Sequence, residues 1–155
     1  MKKLISALML ATALVAPGLA MARDITIETT MVRYSGHAAY VAVYLTKPDG
    51  SYDSTLWVAG RKTKYYRDLP GWISAASTGG QITLDGITGA SVGSGETLTV
   101  HADLADTLLD AGYQIHVDTA VENGFQFSDD AVIDLNSAPA TVSGTGYVSK
   151  IAISL

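Results

Sequence analysis

The segment His37–Thr46 (HAAYVAVYLT) is a run rich in valine, tyrosine and alanine, which are residues that fill a strand surface well. Pro48-Asp49-Gly50 follows it, and Thr55–Ala59 (TLWVA) forms the next apolar run. Proline presets φ and glycine accepts positive φ, so the residues between the two runs have the chemistry of a turn. The pattern predicts a β-hairpin.

Strand patterns continue on both sides of this hairpin. Apolar residues alternate with polar ones over Ile25–Val32, and the later strand candidates are separated by Gly, Asn, Asp and Pro signals. About seven short strands in one small domain predict an all-β fold, an antiparallel immunoglobulin-like β-sandwich without the disulfide of antibody domains. The further candidates are Glu96–Ala102, Tyr113–Val121, Phe125–Leu135 and Thr141–Ser154.

Helical patterns are weak along the chain. Arg67–Ala76 has room for a short helix interrupted by Pro70-Gly71, and Leu104–Leu109 for a second helical turn. Gln81–Leu84 is predicted as a short strand between two glycine-rich stretches. We therefore expect strands to build the domain and helical turns only to connect them.

The N-terminus has the composition of an export signal. Lys2 and Lys3 precede the apolar run Leu4–Val15, and Ala20-Met21-Ala22 matches an A-x-A cleavage site. Residues 1–22 are predicted to be a cleaved signal peptide, and residues 23–155 the sandwich domain. A retained membrane anchor is the alternative, although such a helix needs about 20 apolar residues. The expected location is the periplasm, without direct membrane insertion.

Charge and cysteine content exclude several classes of function. Removing Lys2 and Lys3 leaves 8 basic against 15 acidic residues, a net charge of −7. Nucleic acid is therefore not an expected partner. The chain has no cysteine, which excludes disulfides, thiolate metal sites and iron–sulfur clusters. The three histidines show no metal-binding spacing, and we interpret them as ordinary strand residues.

The segment Asp85–Ser91 carries the chemistry of greatest interest. It has the pattern D-x-x-T-G-A-S, formed by Asp85, Thr88, Gly89, Ala90 and Ser91. This pattern resembles the target motif of bacterial flavin transferases, which attach FMN through its phosphate to a Thr or Ser hydroxyl. The resemblance implies covalent FMN, linked as a phosphoester to Ser91. The alternative is an ordinary glycine-rich turn.

The residues around Ser91 are small. Four glycines lie between Leu84 and Glu96, and Gly and Ala leave a neighbouring hydroxyl accessible. We expect a flexible loop that presents Ser91 to the active site of a transferase. Asp85 is expected to assist recognition by accepting hydrogen bonds from that enzyme or by contacting its metal ion.

A second resemblance covers roughly Ile25–Ser91. The strand Y-V-A-V, the turn, the strand T-L-W-V and the pattern K-x-K-Y-x-x-D-L-x-x-W over Lys62–Trp72 resemble the predicted periplasmic proteins of domain of unknown function 2271. That family has D-x-x-T-G-A-T where this chain has Asp85–Ser91, with Thr in place of Ser91. The resemblance implies an electron-transfer flavoprotein whose partners are a flavin transferase and a PepSY-type membrane reductase. The alternative is a non-catalytic periplasmic binding or assembly module.

A basic run lies between the hairpin and the motif. Arg61–Arg67 (RKTKYYR) holds four of the eight basic residues that remain after Lys2 and Lys3 are removed. Together with Tyr65, Tyr66 and Trp72 it has the chemistry to hold a flavin phosphate and stack on the flavin ring. Docking of an acidic electron-transfer partner and a simple solvated segment are the alternatives.

Overall fold

Two β-sheets form the domain in a computed structural model that describes residues 21–80 and 82–155. The first sheet has the strand order β5-β1-β9-β8 and the second β4-β3-β2-β6-β7. The predicted all-β sandwich is confirmed. The strands are β1 (Ala22–Met31), β2 (Tyr40–Thr46), β3 (Tyr52–Ala59), β4 (Thr88–Gly89), β5 (Thr97–Ala105), β6 (Gln114–Ala120), β7 (Gln126–Asp134), β8 (Ala140–Ser143) and β9 (Val148–Ser154).

All strand pairs are antiparallel except β3 and β4, which run parallel. The predicted hairpin of β2 and β3 is present, with Val41 opposite Ala59 and Thr46 opposite Tyr52. β1 lies between β5 and β9, so the first and last strands of the domain are neighbours. The edge position of β4 brings the Thr88–Gly89 segment of the motif into the second sheet.

β2 is buried on both of its faces, which explains its nearly continuous apolar sequence. Successive side chains of a strand point to opposite faces, so half of this strand enters the core between the sheets. The other half enters a second apolar cluster on the outer face of the second sheet. The inward set is Val41, Val43 and Leu45, and the outward set is Tyr40, Ala42 and Tyr44.

The helix α1 (Pro70–Thr78), preceded by a 3₁₀ segment over Thr63–Asp68, covers this second cluster. Trp72 is fully buried, and its backbone N–H donates to Oδ2 of Asp118 at 2.6 Å. Burial raises the pKa of Asp118, while bonds from the backbone N–H groups of Asp129 and Trp72 act in the opposite direction. A carboxylate at the first turn is a favourable partner for the helix dipole and anchors α1 to β6.

The prediction of one strand over Thr141–Ser154 is wrong, because the segment is a hairpin of β8 and β9. Asp130, on β7, is fully buried beneath the turn. Its carboxylate accepts the backbone N–H groups of residues 145, 146, 147 and 148 at 3.1, 2.6, 2.8 and 3.0 Å. A side chain from a different strand therefore sets this turn, whose local signal is the sequence Ser143-Gly144-Thr145-Gly146.

Three further expectations fall at the edges of the fold. The prediction of a strand over Gln81–Leu84 is wrong for Ile82–Leu84, which form no strand, and Gln81 lies outside the described residues. The helical turn expected within Leu104–Leu109 is a 3₁₀ turn over Asp106–Leu108. Residues 1–20 of the predicted signal peptide also lie outside the described residues. β1 begins at Ala22, next to the predicted cleavage point.

Candidate functional site

A cleft of about 350 Å³ lies at one end of the second sheet. Sites for small ligands commonly have volumes of about 300–1,000 Å³. The cleft combines two cationic side chains, one carboxylate, one imidazole, one aromatic ring and the proposed acceptor serine. Its lining residues are His37, Ala38, Tyr40, Arg61, Lys62, Ala90, Ser91 and Glu122.

The strand topology explains why these distant residues meet. β2 begins at this end of the sheet, whereas its antiparallel neighbours β3 and β6 end there. β4 runs parallel to β3 and therefore ends there too. The segments that enter or leave these four strands line the cleft. Residues 37–40 lie before and at the start of β2, and residues 61–62 follow β3. Residues 90–91 follow β4, and Glu122 follows β6.

Ser91 is held between two pieces of backbone pairing. On one side, the Gly60 N–H donates to the carbonyl of Gly89 at 2.8 Å. On the other, Ala39 and Val92 exchange two hydrogen bonds of 2.6 and 2.8 Å. Ser91 itself is partly exposed. The expectation of a flexible presenting loop therefore needs correction, since sheet pairing fixes the backbone within two residues of Ser91 on each side.

The other motif residues have distinct positions. Asp85 is exposed in a turn closed by the Ile87 N–H and the Leu84 carbonyl at 3.3 Å, and Gly86 has the positive φ of +74°. Thr88 is exposed on β4, opposite Val58. Ala90 shares the cleft with Ser91, whereas Asp85, Thr88 and Gly89 are not among its lining residues.

Gly89 has a packing role of its own. A Cβ atom at this position lies 2.7 Å from Cζ2 of Trp57, which packs against the core. The packing of the sheet therefore favours glycine at this position of the motif.

Substitution of Gly89 by alanine is expected to lower the free energy of unfolding by about 1–3 kcal/mol, because the added methyl group collides with the Trp57 ring. Urea denaturation followed by circular dichroism measures this loss. Gly93→Ala is the matched control. Its Cβ meets only the end of the flexible Glu96 side chain at 2.9 Å, and the expected cost is below about 1 kcal/mol. Equal stability of Gly89→Ala and wild type contradicts the packing role.

The structure divides the basic run into two parts. Arg61 and Lys62 line the cleft and are exposed. Tyr66 donates its hydroxyl to the Gly60 carbonyl at 2.9 Å and is 8% exposed, while Trp72 is 0% exposed. The expectation that Tyr66 and Trp72 stack on a flavin is therefore wrong, because both rings belong to the packing between α1 and the sheet.

Glu122 supplies the carboxylate of the cleft and is held in place by Tyr65. The Tyr65 hydroxyl donates to Oε1 of Glu122 at 2.7 Å, and the Tyr65 ring packs edge-on against Tyr40 at 5.4 Å between centroids. Nζ of Lys64 lies 4.7 Å from the Tyr65 ring centroid. The Tyr65 bond, reinforced by charge interactions with His37, Lys62 and Lys64, holds the pKa of Glu122 below its ordinary value. Glu122 is therefore ionised at neutral pH.

Four cleft residues were not predicted from the sequence as parts of a site, namely His37, Ala38, Tyr40 and Glu122. Glu122 falls between the strand candidates Tyr113–Val121 and Phe125–Leu135, and His37 was interpreted only as a strand histidine. Tyr40 was recognised only as part of an apolar strand. The signal that could have found them is the sheet order, because each follows or precedes a strand at the same sheet end.

A family model described as "Predicted periplasmic protein (DUF2271)" matches residues 22–150. The chain belongs to this family. The resemblance inferred from the sequence is thereby confirmed, and it extends past Ser91 to most of the domain. Comparisons with curated proteins and with solved structures give no significant match.

The DUF2271 match begins with the first residue of β1 and ends within β9, so it includes every segment that lines the cleft. Among residues 21–80 and 82–155, no helix is both long and apolar enough to cross a bilayer. Within the same ranges, no cluster of three or more histidine or acidic side chains is arranged to hold a metal ion.

Proposed function

We propose that this DUF2271 protein is a periplasmic electron carrier that holds FMN covalently on Ser91. The observation that carries the proposal is the position of Ser91. The acceptor residue of the D-x-x-T-G-A-S pattern lines the same cleft as the cations Arg61 and Lys62. An ordinary glycine-rich turn gives no reason for a hydroxyl and two cations to share a cleft.

The cleft residues fit the phosphate end of FMN. A phosphodiester on Ser91 carries one negative charge, and cationic side chains are the usual partners of such a charge. Tyr40 adds an aromatic wall, and Glu122 adds a carboxylate that can accept hydrogen bonds from hydroxyl or N–H groups. When bound, flavin supplies reversible transfer of electrons, for which the amino acids of this cleft offer no equivalent.

The attachment step requires only a hydroxyl from this chain. Ser91 Oγ forms a bond to the FMN phosphorus of FAD, and the bond between that phosphorus and the bridging pyrophosphate oxygen breaks. AMP leaves with that oxygen, and the serine proton passes to a base of the transferase. The transferase also supplies the metal ions that stabilise the charge of the transferred phosphoryl group.

The proposal includes a location and two partners. Residues 1–22 act as a cleaved signal peptide, in agreement with a family described as predicted periplasmic. A flavin transferase modifies the exported protein. A PepSY-type membrane reductase then exchanges electrons with it, as the family resemblance implies.

The test is co-expression of the full chain with a bacterial flavin transferase, followed by intact-mass measurement of the periplasmic protein. We expect a chain that starts at Arg23 and carries the mass of one FMN minus water. The flavin absorbance should remain with the protein after denaturation and gel filtration, because the link is covalent. A known substrate of the same transferase serves as the positive control.

A wild-type protein that remains colourless while the control substrate is labelled overturns the proposal. A periplasmic binding or assembly module with the same sandwich then becomes the better interpretation. A full-length cytoplasmic product overturns the proposed location.

A further inference from the structure

We infer that the cleft recognises the phosphate group of FMN through Arg61 and Lys62, without the help of a covalent bond. This inference deepens the proposed function, since it concerns the same cleft. It differs in assigning an active role to this chain, whose cleft then holds the phosphate end of the flavin instead of only presenting a hydroxyl.

The first argument is the availability of the two cations. The ion pairs in the described part of the chain involve Arg23, His101 and His116, and neither Arg61 nor Lys62 takes part in one. Both side chains are exposed and line a concave surface. Cations that face a cleft without a carboxylate partner retain their capacity to bind an anion.

The second argument is the local charge. The domain as a whole carries a net charge of −7 after removal of Lys2 and Lys3, whereas the cleft has more cationic than anionic side chains. The lining contains the two cations Arg61 and Lys62, the imidazole of His37 and a single carboxylate, Glu122. One oxygen of Glu122 already accepts a hydrogen bond from the Tyr65 hydroxyl at 2.7 Å.

The third argument is the rigidity of the arrangement. Arg61 directly follows Gly60, whose N–H donates to the Gly89 carbonyl at 2.8 Å. The Lys62 N–H donates to the Tyr40 hydroxyl at 3.4 Å, which ties the next residue to the start of β2. The backbone of both cations is therefore fixed relative to Ser91 before a ligand arrives. Only the two side chains then lose conformational freedom when an anion binds, which lowers the entropic cost of binding.

The experiment measures reversible binding to the mature Ser91→Ala protein, prepared without a transferase so that no covalent link can form. FMN and riboflavin are titrated at low ionic strength, with flavin fluorescence as the readout. The two ligands differ only in the phosphate group. The ratio of their affinities therefore measures how much that group contributes to binding. We expect FMN to bind about tenfold more tightly than riboflavin, which is a difference of about 1.4 kcal/mol in binding free energy.

Three additional measurements test the assignment. Inorganic phosphate should displace FMN but not riboflavin, and added salt should shrink the difference between the two flavins. The affinities of the variant Ser91→Ala/Arg61→Gln/Lys62→Gln for FMN and riboflavin should differ by no more than about threefold. The two removed charges supply the preference for the phosphate, each by a modest amount because both are exposed. The matched control carries Lys47→Gln and Lys150→Gln with Ser91→Ala. It loses the same net charge at exposed residues away from the cleft and should keep the tenfold difference.

Equal binding of FMN and riboflavin to Ser91→Ala overturns the inference. An equal loss in the Lys47/Lys150 control also overturns it, because net charge then explains the effect. The two proposals fail separately. Labelling of wild type without FMN selectivity removes only the cleft recognition, whereas FMN selectivity without labelling removes only the covalent attachment.

Discussion

Substitution of Ser91 by alanine is expected to abolish covalent flavin attachment completely, because it removes the only hydroxyl that the proposed phosphoester uses. The fold should be unaffected, because Ser91 is partly exposed and the neighbouring pairing uses backbone atoms. The measurement is the intact mass after incubation with FAD, Mg²⁺ and a flavin transferase. The alanine variant should show the unmodified mass in the same conditions that label the wild type.

Neighbouring substitutions identify the attachment atom. Ser91→Thr keeps a hydroxyl and should be labelled at least as well as wild type. Thr88→Val removes the other hydroxyl of the motif, which is exposed on β4 and not among the cleft-lining residues, and should leave the mass gain intact. Asp85→Ala should slow labelling without moving it, because Asp85 is proposed to assist recognition. Continued labelling of Ser91→Ala, or its loss in Thr88→Val alone, would place the link elsewhere.

Substitution of Asp130 by alanine is expected to prevent stable folding. The carboxylate is fully buried and accepts four backbone N–H groups of the β8–β9 turn in addition to the Thr119 hydroxyl. Each buried donor left without a partner costs about 1–3 kcal/mol. The buried donors that lose their partner are the Thr119 hydroxyl and the N–H groups of Tyr147 and Val148, and their combined cost reaches the stability of a typical domain, about 5–15 kcal/mol. The Thr145 N–H keeps its bond to the Asp130 backbone carbonyl at 2.8 Å. The purified variant should lack a cooperative thermal transition by circular dichroism, or should accumulate as insoluble protein.

The control for this change lies on the same strand. Asp134 is exposed and accepts a hydrogen bond from Gln114 at 2.8 Å, so Asp134→Ala should cost less than about 1 kcal/mol. Asp130→Asn keeps the shape but turns an amide towards N–H donors, and its stability should fall between those of Asp130→Ala and wild type. A normal melting transition for Asp130→Ala contradicts the assigned role.

The sequence predicted the fold well where the signals are local. The β2–β3 hairpin follows from the run His37–Thr46 and its turn, and short helical turns occur in the regions where they were expected. The structure has nine strands where about seven were predicted, for two reasons. Asp130 organises a turn that divides Thr141–Ser154, and β3 provides a partner for the two-residue β4.

The candidate site was predictable only in part, because pairing between strands that are distant in the sequence brings its residues together. The pattern of residues 85–91 and the basic run were visible as local motifs. Their meeting with His37, Tyr40 and Glu122 depends on which strands are neighbours, and no short-range pattern encodes that order. The aromatic residues were misassigned because burial of Tyr66 and Trp72 is decided by α1 packing onto the outer face of the sheet.

The backbone pairing on either side of Ser91 has a consequence for the order of events in the cell. Gly60 meets Gly89, and Ala39 meets Val92, only after residues more than 25 positions apart in the chain have come together. The hydroxyl and its two cations therefore become neighbours as a product of folding. A transferase that depends on this arrangement acts on the finished domain and approaches one end of the sandwich. Flavin would then be attached only to protein that has been exported and has folded, and an unfolded chain would stay unmodified.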